Sequence, residues 1–347
     1  MSPTDRARIT QRTIAELAGV SQSTVSLVLN EGSNPKARIP EETRLRVLEV
    51  IRQTTYVADP VARSLAGVAN KILGVFTYEP AFPADSVDFY TPLLSGIEAG
   101  AEVLGCDLLM FTSAPVHGGK RQLFHENNRL RLADGFLLLG REMDSAELAA
   151  LGVGDFRAVA VGRRDDPDIP YVGVDYATAA QSLVGRALGF GHDSFYYLHV
   201  MSTGESVADR KLGFLRGLRE TQARVETRAT LGTDLEADWA RIRAFEPSVL
   251  FVESPSHVVT LLEFARRDGI SVPADLSIVV LGEPARLTDL DVDFTRLSPP
   301  RTELGDRAVR LLGRILSSDD QPEASERRTL LECTIVDGTT LTWAPKR

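Results

Sequence analysis

The chain of 347 residues is 43% hydrophobic and has a formal net charge of −9 at pH 7. This length and composition exclude a disordered chain and predict a large core divided among more than one domain. No apolar run approaches the roughly 20 residues needed to span a bilayer, and the polar start has no signal-peptide core. We therefore expect a cytoplasmic protein with no membrane partner, in which Cys106 and Cys333 are buried free thiols.

The negative charge is unevenly distributed along the chain. Residues 1–67 contain nine Lys or Arg and seven Asp or Glu, so this segment carries +2 and the remainder carries −11. Attraction to phosphates depends on charges within a Debye length, about 8 Å at physiological salt. An acidic remainder is therefore compatible with nucleic-acid binding by the first segment.

Two short helices joined by a tight turn are predicted within residues 9–30. Thr10 fits an N-cap, Gly19 stands where a left-handed residue ends a helix, and Ser21 fits the cap of the second helix. The predicted apolar face of the first helix consists of Ile14, Ala15, Leu17 and Ala18. Together these residues predict the order helix, turn, helix.

The second predicted helix separates apolar from hydrogen-bonding side chains. Its apolar side consists of Val25, Val28 and Leu29. Its polar side consists of Gln22, Ser23, Thr24, Ser26 and Asn30. Such a polar side suits phosphates and base edges in a DNA major groove, although spacing alone is equally typical of an amphipathic hairpin with a solvated face.

The pattern I-A-x-x-A-G-V-S-x-x-T-V-S-x-V-L-N over residues 14–30 closely resembles the headpiece of LacI/GalR-type bacterial transcription regulators. The resemblance implies a helix-turn-helix DNA-binding headpiece over 1–58, a hinge helix and linker over 59–70, and an effector-binding and dimerisation core over 71–347. The expected fold class is therefore α/β. It combines an N-terminal all-α headpiece with a periplasmic-binding-protein-like core of two doubly wound parallel-sheet lobes.

A third headpiece helix and the hinge follow. The third helix is predicted to begin at Pro40, and its core-facing residues are Leu45, Val47, Leu48 and Ile51. Residues 59–67 have the N-cap, proline and glycine signals of a helix too short to be stable alone. In the family that the chain resembles, this segment folds on the operator and inserts a leucine into the minor groove, and Leu65 stands at that position.

One residue of the second helix departs from the family pattern. Many members have an Arg that binds guanine there, whereas this chain has Leu27, which suits a thymine methyl or the headpiece core. The predicted DNA-binding residues are Thr10, Ser21, Gln22, Ser23, Thr24, Ser26, Leu27, Asn30, Tyr56, Ala62 and Leu65.

From residue 72 onward, strands and helices alternate, which is typical of parallel sheets covered on both faces. Strands are predicted at 72–78, 107–112, 135–139, 158–161, 171–174, 195–198, 249–252, 276–281 and 330–336. Helices are predicted at 92–104, 177–190, 209–220, 235–245, 256–268 and 302–317. The resemblance places lobe 1 at about 71–170 and 300–327, and lobe 2 at about 171–299 and 328–347.

Ligands of such folds bind beyond the carboxyl ends of the strands. The resemblance implies an effector site formed by Phe89, Tyr90, Asp175, Arg210, Glu253 and Glu283. Aromatic faces stack on sugar or base rings, and the planar fork of Arg suits paired oxygens. Each charged member also has a structural alternative as an ion pair or loop cap. The motifs around Glu253 and Glu283 differ from the family pattern, so no particular sugar is assigned.

The sequence therefore indicates a dimeric transcription regulator, and repression is the first hypothesis for its action. Its predicted partners are a near-palindromic double-stranded DNA operator and a small-molecule effector such as a carbohydrate. Activation, a nucleobase, phosphosugar or protein effector, a cytosolic solute-binding protein and a sugar-processing enzyme stay open as alternatives. The sequence has no metal-ligand spacing, phosphate-binding loop or nucleophile elbow, so we predict no metal, no cofactor and no catalysis.

Overall fold

The structure, a computed structural model, describes residues 9–29, 39–57, 69–80, 87–283, 292–317 and 322–346, apart from the side chains of residues 87 and 88. The chain divides into two compact units, residues 1–72 with 131–134 and residues 73–130 with 135–347. Within the described ranges, no helix combines the length and apolar character needed to cross a membrane.

The described part of the first unit is a small helical domain. Its helices are α1 (Gln11–Ala18), α2 (Gln22–Leu29) and α3 (Glu41–Gln53). The Thr10 hydroxyl caps α1 by accepting a hydrogen bond from the amide of Thr13 at 3.3 Å. Gly19 ends α1 in the left-handed conformation, with φ 64°, which a residue without a Cβ adopts readily. The predicted order helix, turn, helix is confirmed.

The helices of this unit bury one apolar cluster. Its buried residues are Ile14, Ala15, Ala18, Val25, Val28 and Val47. The prediction that Leu17 and Leu45 face the core is wrong, because Leu17 is 60% exposed and Leu45 is 49% exposed. Val47 is the fully buried residue of α3, Leu48, Val50 and Ile51 pack partly against the cluster, and Leu45 lies about 200° of helical rotation from Val47. A helix this short buries only a narrow stripe of its surface.

The second unit contains two sheets. The strands of the first sheet are β1 (Ile72–Thr77), β2 (Asp107–Phe111), β5 (Gly135–Leu139), β6 (Ala158–Val161), β7 (Tyr171–Val174) and β13 (Arg328–Leu331). Its spatial order is β13-β7-β6-β5-β1-β2. The helices that accompany this sheet are α4 (Val87–Leu104), α5 (Ser145–Val153) and α10 (Arg301–Leu316). A hairpin of β3 (Val116–His117) and β4 (Lys120–Arg121) and a 3-10 helix (Leu130–Leu132) lie between β2 and β5 along the chain.

The strands of the second sheet are β8 (Ser194–Val200), β9 (Arg224–Thr230), β10 (Val249–Val252), β11 (Ser277–Val280), β12 (Thr295–Ser298) and β14 (Thr334–Val336). Its spatial order is β14-β12-β11-β10-β8-β9, with β14 antiparallel to β12. The helices that accompany it are α6 (Tyr176–Gly189), α7 (Glu205–Leu218), α8 (Leu235–Phe245) and α9 (Pro255–Arg267). The first sheet with its helices is lobe 1, and the second sheet with its helices is lobe 2.

Both faces of each sheet are buried, which explains the continuous apolar runs in the strands. In β5, Leu137 and Leu139 pack into one apolar cluster while Phe136 and Leu138 pack into another, and all four are at most 1% exposed. The strand β5 pairs in parallel with β1 and with β6. Parallel pairing directs the carboxyl ends of these strands to one edge of the sheet.

The chain passes between the sheets after β7, after β12 and after β13. The predicted lobe boundaries near 171 and 328 are wrong, since both were placed before these strands. Strands β7 and β13 belong to lobe 1, where Tyr171 pairs with Arg328 and Val174 with Leu331. The single strand predicted at 330–336 is for the same reason two strands, β13 and β14, one in each sheet. A strand stays hydrogen-bonded in its own sheet, and the chain crosses only beyond its carboxyl end.

Several predicted element bounds also change. Helix α4 begins at Val87 rather than at Pro92, which lies inside the helix, although proline is typical of a first helical position. The elements α5, β9 and β12 were not predicted. Strand β9 is an edge strand with polar residues, RVETRAT, so its sequence lacks the apolar signal of the central strands.

Helices α4 and α10 cross at two glycines. A Cβ on Gly305 would lie 2.3 Å from the carbonyl oxygen of Leu93, and one on Gly96 would lie 1.9 Å from that of Thr302. Only residues without a side chain permit this approach of the two backbones. The crossing brings the first turns of both helices together, so that the Arg301 guanidinium lies 5.1 Å from the centre of the Phe89 ring.

We predict that Gly305→Ala lowers the free energy of unfolding by about 2 kcal/mol, because the added methyl group forces the helices apart. A matched control is Gly185→Ala in α6, where a Cβ meets no atom within 4 Å. That change replaces an exposed helical glycine and is expected to raise the free energy of unfolding by about 0.5–1 kcal/mol. Urea denaturation followed by circular dichroism measures both, and wild-type stability of Gly305→Ala would contradict the role given to this crossing.

Candidate functional site

Hydroxyl groups cluster at the start of α2. The Ser21 hydroxyl accepts a hydrogen bond from the amide of Thr24 at 3.1 Å, so Ser21 caps α2. Its oxygen also lies 2.7 Å from the hydroxyl of Ser23 and 2.9 Å from that of Thr24. Ser21, Gln22 and Ser23 are exposed. This helix start presents hydroxyls and backbone amides to solvent, an arrangement that suits phosphate oxygens.

The other predicted DNA-binding residues have mixed exposure. Thr10 is exposed at the start of α1, and Tyr56 packs partly against the apolar cluster of this unit. The half-buried residues of α2 are Thr24, Ser26 and Leu27. The predicted residues outside the described ranges are Asn30, Ala62 and Leu65. Leu27 thus keeps part of its apolar side chain accessible beside the hydroxyl cluster.

A cavity of about 80 Å³ lies between lobe 1 and lobe 2. It is next to the carboxyl ends of β5, β6 and β7, where the lining residues include Leu139, Val161 and Val174. Other lining residues from lobe 1 are Phe89, Tyr90, Leu93, Gly140, Arg141, Gly162, Arg163, Arg164, Arg301 and Leu304. The lining residues from lobe 2 are Tyr176, Ser206 and Asp209. A mainly apolar wall with a few converging polar groups is typical of small-molecule sites.

Ion pairs join the lobes beside this cavity. The Nε of Arg163 in lobe 1 lies 2.7 Å from Asp209 in lobe 2. The Nη1 of Arg164 lies 2.6 Å from Glu205 in lobe 2, and the Arg164 side chain is only 3% exposed. Its Nη2 donates a hydrogen bond to the carbonyl oxygen of Gly140 at 2.7 Å. Removing a guanidinium from water costs several kcal/mol unless it is paired, so Arg164 in this position requires Glu205.

A carboxylate makes a third connection between the lobes. Glu142 of lobe 1 accepts a hydrogen bond from the amide of Thr203 in lobe 2 at 2.9 Å. It is also hydrogen-bonded by Lys120 and by the hydroxyl of Ser202. Desolvation by itself raises the pKa of Glu142, but these hydrogen bonds outweigh it and lower the pKa to about 2. The charged form of Glu142 is therefore the one that connects the lobes.

Two of the predicted effector-binding residues line the cavity. The rings of Phe89 and Tyr90 meet edge to face, with their centres 5.0 Å apart. The Tyr90 hydroxyl donates a hydrogen bond to Glu79 at 2.7 Å. Burial, followed by the nearby Glu79 carboxylate, raises the pKa of Tyr90, so its hydroxyl stays protonated. The pair offers one fixed aromatic corner of the cavity.

Arg210 and Glu253 do not line the cavity but bind each other. The Arg210 guanidinium lies 3.7 Å from the centre of the Tyr176 ring, and its Nη1 is 3.4 Å from a carboxylate oxygen of Glu253. The other oxygen of Glu253 accepts a hydrogen bond from the amide of Val200 at 3.0 Å. Burial raises the pKa of Glu253, although Arg210 opposes that change. In this arrangement Arg210 lies directly behind Tyr176, which does line the cavity.

Asp175 and Glu283 also have partners within the protein. The Asp175 carboxylate caps α6 by accepting a hydrogen bond from the amide of Thr178 at 3.0 Å. Glu283 lies 3.2 Å from the Nε of Arg296. In the structure, these two residues and the pair Arg210 and Glu253 therefore have the alternative, structural role of a cap or an ion pair. The family resemblance brought these residues close to the cavity but did not fix which way their side chains turn.

Four arginines that were not predicted line the cavity. They are Arg141, Arg163, Arg164 and Arg301. The sequence contains a usable signal, because residues 162–164 directly follow the predicted strand 158–161 and Arg301 directly follows a crossing between the lobes. Sequence spacing does not show which arginines are paired with carboxylates, and that distinction decides their chemistry.

In the described part of the chain, no cysteine or histidine is among the residues that line the cavity. Cys333 is buried, Cys106 is half-buried, and neither thiol is joined in a disulfide. Burial raises the pKa of Cys333 to about 11, so the thiol is protonated near neutral pH. Among the residues that the structure describes, no group of three or more His, Cys, Asp or Glu side chains is arranged to hold a metal ion.

Comparison with known proteins gives matches to both units. The family model described as bacterial regulatory proteins, lacI family, matches residues 10–59, and that of a periplasmic binding protein-like domain matches residues 184–341. Catabolite control protein A from Priestia megaterium is 26% identical over 317 residues, which cover 88% of this chain and 92% of that protein.

Solved structures show the same fold. The lac repressor dimer bound to operator and the anti-inducer ONPF gives a TM-score of 0.75 at 18% identity. The match covers 97% of this chain and 100% of the lac repressor chain. The complex of the transcriptional regulator CelR with cellobiose gives a TM-score of 0.64 at 19% identity, covering 96% and 100%. The predicted fold class, a helical headpiece with two parallel-sheet lobes, is confirmed.

We predict that Glu142→Gln reduces the loss of stability in acid. In the wild type, the stabilising hydrogen bonds to the Glu142 carboxylate are present above its ordinary pKa of 4.5 and are lost as the pH falls towards about 2. The variant lacks this titration, so its urea midpoint should fall less between these pH values. Glu102→Gln, which changes an exposed carboxylate of α4, is the control and should keep the wild-type dependence. Parallel curves for Glu142→Gln and wild type would refute the assignment.

Proposed function

Because the chain belongs to the lacI family of bacterial regulatory proteins, we propose that it represses transcription by binding an operator, with an affinity set by a small molecule between its lobes. The observation that carries the proposal is the combination of an exposed hydroxyl-rich helix start in the first unit with a cavity between two lobes in the second. The first feature suits DNA and the second suits a small ligand.

For DNA binding, α2 is the proposed recognition helix. Ser21 and Ser23 offer hydroxyls for phosphates, and Gln22 offers an amide able to make paired hydrogen bonds with adenine. Leu27 supplies apolar surface for a thymine methyl instead of a guanine-binding fork. A headpiece with one such helix covers one half-site, so we propose that a homodimer binds a near-palindromic operator. The lac repressor, a structural neighbour, was solved as a dimer on operator.

For the response to a small molecule, the ion pairs between the lobes provide the coupling. A ligand in the cavity contacts both lobes beside Arg163 and Asp209, so it has different affinity for lobe arrangements that make or break this pair. Differential affinity is the condition for a ligand to shift operator binding, and the shift is reciprocal. The cellobiose bound to CelR, a second neighbour, supports a carbohydrate or a related metabolite as the ligand class.

A matched pair of glutamine variants tests the DNA-binding proposal. Gln22→Ala removes the exposed amide at the start of α2, and Gln53→Ala removes an exposed amide at the end of α3. We predict that Gln22→Ala weakens binding to the operator about ten-fold or more, since a paired base contact is worth about 1–3 kcal/mol. Gln53→Ala should bind as the wild type does.

The measurement is fluorescence anisotropy at fixed salt, with operator DNA selected by the wild-type protein from random duplexes. Random DNA serves as competitor, since phosphate contacts alone give salt-sensitive binding without sequence preference. Equal loss in both variants, or no DNA sequence preferred over random DNA by the wild type, would contradict the proposal.

A further inference from the structure

Arg301 is a cation at the cavity wall without a counter-charge in contact. It is the first residue of α10, and its guanidinium lies over the Phe89 ring, 5.1 Å from the ring centre. Within the described ranges, its side chain has no hydrogen-bond or ion-pair partner. Burial is the main influence on the pKa of Arg301 and lowers it, while Tyr176 and Glu283 oppose that change. The half-buried guanidinium has therefore lost part of its hydration without gaining an ion pair to any described residue.

Two neighbouring arginines of the cavity wall are paired with carboxylates. Arg163 is paired with Asp165 at 2.5 Å and with Asp209 at 2.7 Å. Arg164 is paired with Glu205, although its Nε is buried without a hydrogen-bond partner in the described structure. Arg301 differs from both, because it lines the same cavity with no carboxylate of the described residues in contact.

The charges of the wall also favour a negative ligand. The charged lining residues are four arginines and Asp209, which is already bound to Arg163. The first turns of α4, α7 and α10 meet at the cavity, with Tyr90, Ser206 and Arg301 as lining residues. Helix N-termini carry partial positive charge and stabilise anions nearby. The unpaired guanidinium, the excess of arginines and the helix ends all act in the same direction.

We propose that the small molecule carries an anionic oxygen group, a carboxylate or a phosphate, and that Arg301 binds this group beside Phe89. The inference rests on the proposed function, which supplies the small-molecule site, and it narrows the ligand class to acidic metabolites. An Arg fork makes two parallel hydrogen bonds to either group, and such a contact gives the Arg301 guanidinium a counter-charge that no described residue supplies. A neutral sugar would leave Arg301 without its counter-charge.

Calorimetric titration of the free protein, without DNA, tests this proposal. The probes are inorganic phosphate, glucose, glucuronate and glucose 6-phosphate. We expect at least one anion to bind and glucose to bind more weakly or not at all. Binding of glucuronate without phosphate identifies a carboxylate site, and the reverse identifies a phosphate site. Arg301→Gln should weaken the binding of that anion about ten-fold or more, the scale of a lost charged hydrogen bond.

Two further variants make the result specific. Arg307→Gln removes an exposed guanidinium of the same helix, which pairs with Glu303, and should bind the anion as the wild type does. Arg301→Lys keeps the charge without the fork and should retain part of the affinity. In the absence of ligand, Arg301→Gln should also raise the thermal unfolding midpoint by about 2 °C or more, since it removes a half-buried charge that no carboxylate of the described residues contacts.

The outcomes that overturn the proposal are distinct from failure of the DNA-binding proposal. Preference for glucose, equal anion affinity in Arg301→Gln and wild type, or no binding of any of the three anions at tens of millimolar would each overturn it. Loss of operator preference with intact, Arg301-dependent anion binding would instead contradict the regulator proposal and leave the cavity assignment standing.

Discussion

The buried guanidinium of Arg164 constrains the arrangement of the two lobes. A charge with 3% of its side chain exposed must be paired, and its carboxylate partner, Glu205, belongs to the other lobe. Arg163 with Asp209 and Glu142 with the amide of Thr203 repeat the same device nearby. Separation of the lobes at this edge would therefore expose several charged groups or leave them without their partners. The need to keep these charges paired therefore links the shape of the cavity to the relative position of the lobes.

Three of the four arginines of the cavity wall fall into two classes with different roles. Arg163 and Arg164 have their carboxylates and hold the lobes, whereas Arg301 has none in contact among the residues that the structure describes and is available to a ligand. The position of Arg301 depends on the glycine crossing of α4 and α10, because the crossing at Gly305 sets the distance between Phe89 and the start of α10. Backbone packing between these two helices thus places the lining guanidinium that we assign to ligand binding.

Much of the fold was predictable from the sequence, since strands such as 135–139 and 249–252 are continuous apolar runs bounded by polar residues. The start of α2 was equally predictable, because the cap signals of Gly19 and Ser21 act over a few residues. The lobe boundaries at β7 and β13 were not, since pairing between residues as distant as Tyr171 and Arg328 leaves no local signal.

The cavity was predictable only in part. Its place beyond the strand ends follows from the parallel topology, and Phe89 and Tyr90 line it as expected. The charged residues were harder, because a carboxylate or arginine after a strand turns either into the cavity or back onto a neighbour. Arg210 turns onto Glu253 and Tyr176, while Arg301 lines the cavity, and only tertiary packing separates the two outcomes.

The most direct test of the coupling between lobes and DNA binding is the operator affinity of Glu205→Gln without any small molecule. The change removes the counter-charge of Arg164 and shifts the lobe arrangement, yet alters nothing in the first unit. Glu220→Gln, an exposed carboxylate just after α7, is the control, with folding of both variants checked by circular dichroism. We predict a change of about five-fold or more in the operator dissociation constant for Glu205→Gln alone, within the usual range of coupling free energies. The same operator affinity in wild type and Glu205→Gln would contradict it.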